Sequence, residues 1–159
     1  WIAIVLQIAD RDQLPVEVIS STLARLGVAQ ADAFISCWAT KFRYNLLRPV
    51  TYIKRHIDKT WEPLLITPPF PEYTSGHSTQ SGAASTVLTA IFGDGFAFDD
   101  ETHVDEGLPV RSFPSFAAAA EEAAISRLYG GIHFRFGNAK GLDQGRAVGA
   151  HAAALRTAS

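Results

Sequence analysis

The stretch PFPEYTSGH, residues 69–77, joins an extended segment to a helix and organises the chain around it. Four prolines between residues 63 and 71 exclude regular structure before it. Ser75 stands at the expected start of a helix, where free backbone N–H groups and the positive dipole end favour an anion. Gly76 lets an anion approach closely, and His77 can act as acid or base. Read alone, the stretch also fits an N-capping serine with an incidental histidine.

Helical patterns dominate the remainder of the chain and predict an all-α bundle. The predicted helices cover residues 1–9, 15–27, 28–47, 49–57, 75–92, 115–129 and 139–156. Glycines at positions 141, 145 and 149 interrupt the last of them, which predicts close packing on a neighbouring helix. Residues 93–113 carry six acids and are predicted to form an exposed loop, since the acids lack EF-hand spacing.

Composition excludes several classes of protein. The 159 residues are 47% hydrophobic with a net charge of −2, which fits one folded domain over residues 1–159 and excludes general disorder. A balance of 14 basic and 16 acidic residues excludes nucleic-acid binding by bulk charge. The single cysteine, Cys37, excludes a disulfide framework. The longest uncharged stretch, residues 73–93, is too polar to span a membrane.

A second motif suggests buried cations. Five residues recur at steps of four, three, four and three, which places them on one face of the predicted 28–47 helix. They are Phe34, Trp38, Lys41, Asn45 and Arg48. The two aromatic residues belong on the buried side and would carry both cations inward, where an anion is needed. The alternative is that both long side chains extend to solvent.

A third motif, SRLYGGIH at residues 126–133, places Arg127 near a helix end and presents His133 after a glycine pair. Three cations, a hydroxyl and a backbone amide can together bind a multiply charged oxyanion. These predicted ligands are Lys41, Arg48, Ser75, Gly76 and Arg127. His133 can bond to the central atom while His77 moves protons on the opposite side. The motifs together predict a site for a five-coordinate oxyanion.

At these residues the chain resembles the superfamily of type-2 phosphatidic-acid phosphatases, bacterial acid phosphatases and vanadium-dependent haloperoxidases. The shared pattern is Lys, six residues, Arg-Pro; then Ser-Gly-His; then Ser-Arg, five residues, His. Here the pattern is carried by Lys41 with Arg48-Pro49, residues 75–77, and Ser126-Arg127 with His133. Trp38 and Phe70 further resemble the chloroperoxidase-like branch, and the lack of spanning helices argues against the lipid phosphatases.

The resemblance implies a helical bundle of that type and vanadate as cofactor, with phosphate or sulfate able to occupy the same site. Vanadate would bond to Nε2 of His133, with its oxygens held by the five predicted ligands. His77 would serve as acid–base group and Lys41 would polarise the oxidant. The implied reaction oxidises halide with hydrogen peroxide to hypohalous acid, which can pass to an organic acceptor. Trp38 and Phe70 would line the halide side, unless they are plain core aromatics.

Two positions depart from the family pattern. The phosphatases have an aspartate four residues after the last histidine, and here that position is Gly137. This weakens a phosphohistidine mechanism, although an aspartate from elsewhere could replace it. The alternative remains a soluble acid phosphatase in which His133 attacks phosphorus and His77 protonates the leaving oxygen. Thr74 replaces the usual proline. A non-catalytic domain that only binds phosphate or sulfate is the third interpretation.

The apolar opening at Trp1 and the absence of methionine predict a fragment or processed product. Haloperoxidases of this family have a second bundle and an upstream acid that pairs with the second arginine, for which Asp10, Asp12 and Asp32 are candidates only by default. We therefore expect a missing upstream part, joined or retained as a separate chain. The resemblance also implies a periplasmic or secreted protein. The sequence is compatible with a homo-oligomer.

Overall fold

The computed structural model describes residues 1–156, which form a helical bundle with one small hairpin. The helices are α1 Ile2–Arg11, α2 Val16–Tyr44, α3 Pro49–His56, α4 Gly76–Phe92, α5 Phe116–Tyr129 and α6 Arg135–Ala153. The hairpin consists of β1 Phe98–Asp100 and β2 Arg111–Phe113, with a 3₁₀ turn at Val104–Glu106 between them. The predicted all-α class is confirmed. Within the described residues, no helix is both long and apolar enough to cross a bilayer.

Local capping residues set several helix starts where the sequence predicts them. The side chain of Ser75 accepts a hydrogen bond from the Ser78 amide at the start of α4. Ser115 does the same for Ala118 at the start of α5. Pro49 occupies the first turn of α3, where its missing N–H has no cost.

The predicted break at Gly27 is wrong, because α2 runs through it without interruption. Leu26 and Ala29 on either side are fully buried, whereas Gly27 is exposed with nothing within 4 Å of an added Cβ. Packing of the flanking residues thus outweighs the roughly 1 kcal/mol that glycine costs a helix. The helix ends at Tyr44, and Asn45 caps it in the left-handed conformation with φ 45°.

The prediction that residues 93–113 form only a loop is wrong in part, because this segment contains the hairpin. Phe98 lies opposite Phe113 in the antiparallel register, and both rings are buried. They join Phe116 and the buried face of α1 in the main apolar cluster. Five of the six acids of this segment are exposed. Among residues 1–156 there is no group of three or more His, Cys, Asp or Glu side chains placed to hold a metal ion.

Helix α4 lies at the centre of the bundle and packs on α2, α5 and α6. Its contact with α6 depends on glycine: a Cβ at Gly145 would lie 2.1 Å from the carbonyl oxygen of Thr79. This confirms the predicted close packing, although α6 begins at Arg135, four residues before the expected start. The contact brings the first turns of α4 and α6 together, and the amide of Ser75 donates to the carbonyl of Gly137 across 3.0 Å.

Candidate functional site

Arg48 is buried in the site, but not on the face of a helix as predicted. Because α2 ends at Tyr44, Arg48 lies outside it and is the N-cap of α3, with only 5% of its surface exposed. Its Nε donates to the carbonyl of Phe70 and its Nη1 to that of Ile132, both at 2.8 Å. Its Nη2 is buried and has no hydrogen-bond partner among residues 1–156. Burial lowers the pKa of Arg48, and the charge of Arg127 lowers it further.

Lys41 is fully buried on α2, so the alternative that both cations extend to solvent is wrong. Its Nζ donates to the carbonyl oxygens of Pro71 and Glu72 at 3.0 Å and of Thr74 at 2.5 Å. Burial lowers the pKa of Lys41 to about 8. All three N–H donors of the ammonium group therefore bind the loop that precedes α4.

His133 is held at both ring nitrogens. Its Nδ1 lies 2.8 Å from Oε1 of Glu72, and its Nε2 lies 3.1 Å from Nη1 of Arg48. Because a guanidinium can only donate, Nε2 must be the acceptor and Nδ1 must carry the hydrogen. Burial is the main cause that lowers the pKa of His133, opposed by its hydrogen bond to Glu72. The neutral ring thus presents the lone pair of Nε2.

Glu72 is the functional residue that sequence reasoning missed. It is fully buried, and its Oε1 also accepts the amide of Phe134 at 3.1 Å. It lies 61 positions before His133, so no local spacing links the two. The only signal in the sequence is an acid inside the proline-rich first half of the motif at residues 69–77.

The first turn of α4 offers two further donors. The hydroxyl oxygen of Ser75 accepts the Ser78 amide at 3.4 Å, and no described hydrogen bond in residues 1–156 uses its hydrogen. Gly76 opens the helix, so its N–H has no intrahelical acceptor. A Cβ at Gly76 would lie 3.5 Å from the Trp38 indole, which covers this turn. Both donors are therefore available to an anion.

His77 and Arg127 lie in electrostatic range of each other. The side chain of His77 reaches the surface. Its pKa is nevertheless lowered to about 4, first by the surrounding protein and then by the charges of Arg127 and His133. Burial also lowers the pKa of Arg127, whose Nε is buried with no hydrogen-bond partner in the described part of the chain.

No acid among residues 1–156 forms an ion pair with Arg127, so the default candidates are not supported. Asp12 instead pairs with Arg11 at 2.7 Å, while Asp10 and Asp32 are exposed. The carboxylate at the site belongs to Glu72, and it already accepts a hydrogen bond from His133.

The predicted aromatic residues lie beside the cations. Trp38 and Phe70 are half-buried with ring centroids 5.2 Å apart, and Lys41 Nζ lies 5.7 and 5.4 Å from them. Phe34 stacks on Trp38 at 4.0 Å, but it is 48% exposed rather than buried as expected. These rings are therefore not plain core residues.

The arrangement fits a tetrahedral oxyanion such as vanadate or phosphate. Three cations share a site whose one buried carboxylate is already bound to His133. Among residues 1–156, buried N–H donors of Arg48 and Arg127 lack hydrogen-bond partners, and the His133 lone pair lies beside Arg48. An oxyanion would supply the missing acceptors and the missing negative charge.

Comparison with known proteins gives concordant relatives. A family model described as "VCPO second helical-bundle domain" matches residues 21–158. The vanadium-dependent bromoperoxidase of Ascophyllum nodosum is 34% identical over 94 residues, covering 52% of this chain and 17% of that protein. The vanadium chloroperoxidase of Curvularia inaequalis is 28% identical over an alignment 182 positions long, which covers 80% of this chain and 30% of that protein.

Solved structures agree. The crystal structure of the first bacterial vanadium-dependent iodoperoxidase matches 96% of this chain with a TM-score of 0.92 and 55% identity. A bacterial vanadium-dependent chloroperoxidase in its holo form matches 81% with a TM-score of 0.69 and 22% identity, which shows the shared fold. The chain spans 37% and 34% of these two structures, well under half of either.

Proposed function

The chain belongs to the family described as the VCPO second helical-bundle domain, and from this premise we propose that it carries the active site of a vanadate-dependent haloperoxidase. The observation that supports this most is the orientation of His133. Glu72 binds its Nδ1, and the lone pair of Nε2 faces the Arg48 guanidinium in a buried site. A fixed, unprotonated imidazole nitrogen among cations is what a vanadate ligand requires.

Different residues would bind different oxygens of the anion. Nη2 of Arg48 and Nε of Arg127, the buried donors without partners, would bind two of its oxygens. The Ser75 hydroxyl and the Gly76 amide would donate from the first turn of α4. Lys41 would join them by giving up one of its three carbonyl partners. When bound, vanadate would supply a Lewis-acid centre that activates hydrogen peroxide.

His77 is suited to proton transfer. With its pKa lowered to about 4, the ring is neutral at pH 7 and has a free nitrogen. It would take a proton from entering hydrogen peroxide at that nitrogen and return it to the leaving oxygen. In the overall reaction halide gives two electrons to the peroxide, the O–O bond breaks, and one proton is consumed. Hypohalous acid and water form.

Iodide is the halide we propose first. The solved relative with 55% identity is an iodoperoxidase, whereas the bromoperoxidase and chloroperoxidase relatives share 34% and 28% identity. Trp38 and Phe70 present polarisable rings beside Lys41 and would line the path of a large, polarisable anion. An organic acceptor would take the halogen afterwards.

A phosphomonoesterase is the second candidate, and Glu72 favours it. Gly137 weakens the case for this chemistry, because it stands where the phosphatases have the aspartate that orients the nucleophile. Glu72 supplies the carboxylate instead, at 2.8 Å from Nδ1 of His133. In this reaction Nε2 of His133 would form a bond to phosphorus while the ester P–O bond breaks. His77 would protonate the leaving oxygen, which its low pKa permits only near acidic pH or beside a bound dianion.

We further propose that an acid outside residues 1–156 completes the site by pairing with Arg127, in the same polypeptide or a separate chain. Arg127 forms no ion pair within the described residues, and its Nε is buried without a partner. Export to the periplasm or beyond the cell also stays a proposal from the family resemblance.

The test is halide oxidation by the full-length protein with orthovanadate and hydrogen peroxide, offering iodide and bromide in turn. A His133→Ala variant should lose all vanadate-dependent turnover. The matched control, His151→Ala, changes an exposed histidine and should keep it. Hydrolysis of p-nitrophenyl phosphate without halide oxidation would support the phosphatase instead. Sulfate binding with neither activity would leave only the non-catalytic oxyanion-binding domain.

A further inference from the structure

Glu72 and Gly137 compete for the same space beside His133. An added Cβ at Gly137 would lie 2.1 Å from Oε1 of Glu72, and 2.8 Å from both its Cδ and its Oε2. Real Cβ atoms essentially never show contacts under 3.0 Å, so any side chain at position 137 would require the carboxylate end of Glu72 to move away. The two positions therefore exclude each other's side chains.

The glycine has no conformational reason to be there. Gly137 lies in the first turn of α6 and is absent from the residues with positive φ. Glycine in a helix costs about 1 kcal/mol relative to alanine. The buried carboxylate that fills the position of the missing side chain offers the physical reason for it.

The carboxylate is held firmly in that position. The amide of Glu72 donates to the carbonyl of Leu46 at 3.0 Å, and its own carbonyl accepts from Lys41. Its Oε1 accepts from both His133 Nδ1 and the amide of Phe134. The chain thus delivers a carboxylate to His133 from a distant loop rather than from the helix that follows it.

We propose that Glu72 is the positioning residue that, together with the Arg48 contact at Nε2, holds His133 in one orientation and one tautomer, and that Gly137 leaves the space that admits the Glu72 carboxylate. The proposal rests on the proposed function in one respect, which is that His133 Nε2 binds the oxyanion centre. A carboxylate can reach His133 from position 72 or from position 137, but not from both. An aspartate at position 137 carries its oxygens two bonds from Cβ, close to where Oε1 of Glu72 lies now.

If a carboxylate at either position can serve His133, moving it from position 72 to position 137 predicts a specific pattern among variants. Glu72→Ala removes the acceptor of the Nδ1 hydrogen and leaves the Arg48 contact at Nε2 as the remaining described anchor of the ring, so the ring no longer holds one orientation and one tautomer. Gly137→Ala alone places a Cβ on the Glu72 carboxylate and supplies no acceptor in its place, so it disturbs the ring in the same way. The double variant Glu72→Ala/Gly137→Asp restores a single carboxylate and with it the tautomer. Glu72→Gln keeps an acceptor of the same shape and should retain the tautomer while lowering ligand basicity.

The experiment uses the full-length protein with ¹⁵N-labelled histidine. Long-range ¹H–¹⁵N spectra without vanadate report which nitrogen of His133 carries the hydrogen, and a separate titration measures affinity for orthovanadate. The expected wild-type state is hydrogen on Nδ1. We expect each single disruptive variant to lose that state and to bind vanadate about 10–100-fold more weakly. The double variant should recover hydrogen on Nδ1, and its affinity for orthovanadate should lie within about tenfold of the wild-type value.

Melting curves separate positioning from mere structural support. If Glu72 only stabilised the fold, Glu72→Ala and the double variant would melt early while His133 kept hydrogen on Nδ1, and that result would overturn the proposal. A double variant no better than Glu72→Ala would overturn the exchange between the two positions. Should Glu72→Ala not fold, Gly137→Ala carries the same test. The tautomer is read without vanadate or turnover, so a wild-type protein lacking peroxidase activity would sink the proposed function and leave this inference intact.

Discussion

Nη1 of Arg48 donates to Nε2 of His133 over 3.1 Å, so the nitrogen that we propose as the ligand of the oxyanion centre lies against a cation. A bound oxyanion would take over this hydrogen bond, and Arg48 would turn from a partner of the histidine into a partner of the anion. The same guanidinium is anchored to two backbone carbonyls, which keeps it in place during that exchange.

Arg48→Lys should weaken oxyanion binding, because an ammonium group cannot hold two carbonyls and an anion oxygen with a rigid planar fork. A lost charge-assisted hydrogen bond costs about 1.5–3 kcal/mol, which is about a 10–100-fold loss of affinity. Isothermal titration with orthovanadate measures it, and the exposed Arg55→Lys serves as control. Equal affinity of the two variants for orthovanadate would show that Arg48 does not bind the anion.

Sulfate affinity should fall as pH rises through about 8. Burial lowers the pKa of Lys41 to about 8, so the free site loses one of its three positive charges above that pH. Sulfate keeps its charge across this range, which makes it the suitable probe. Lys41→Arg should abolish the decline near pH 8, since arginine stays protonated. A wild-type affinity that is flat from pH 7 to 9 would contradict the role of Lys41.

Acid should destabilise the protein in part through His77. The pKa of His77 is about 4 in the folded protein and 6.5 for a histidine in the unfolded chain. The unfolded chain therefore binds more protons between these two pH values. The contribution of His77 to the free energy of unfolding is therefore present above pH 6.5 and is lost as pH falls toward 4. Urea unfolding at several pH values should show a smaller pH slope for His77→Asn than for wild type. The exposed His56→Asn is the control, and identical slopes in all three proteins would contradict the prediction.

Gly145→Ala should destabilise the bundle, because its Cβ would lie 2.1 Å from the carbonyl oxygen of Thr79 and force α4 and α6 apart. Overpacking of this kind costs about 1–3 kcal/mol. The matched control is Gly27→Ala in α2, where nothing lies within 4 Å and a gain of about 0.4–1 kcal/mol is expected. Both values come from urea unfolding. Equal effects of the two substitutions would show that α4 and α6 do not pack as described.

The sequence by itself determined the local features. Ser75, Ser115 and Pro49 start helices through contacts within a few residues, so their patterns identify α4, α5 and α3 without knowledge of the fold. The three motifs also identified the candidate ligands, because each motif is short and keeps its own spacing. Glycine spacing in α6 predicted close packing, since a missing side chain is visible in the sequence.

The tertiary structure alone decided what depends on distant residues. Gly27 stays helical because its buried neighbours pack on the bundle, and Arg48 is buried by the site rather than by a helix face. Above all, Glu72 meets His133 across 61 positions in the space left by Gly137. Neither spacing nor composition encodes that meeting. Two loops and a helix start must first be placed by packing, and only then does one carboxylate fill the space that one glycine leaves.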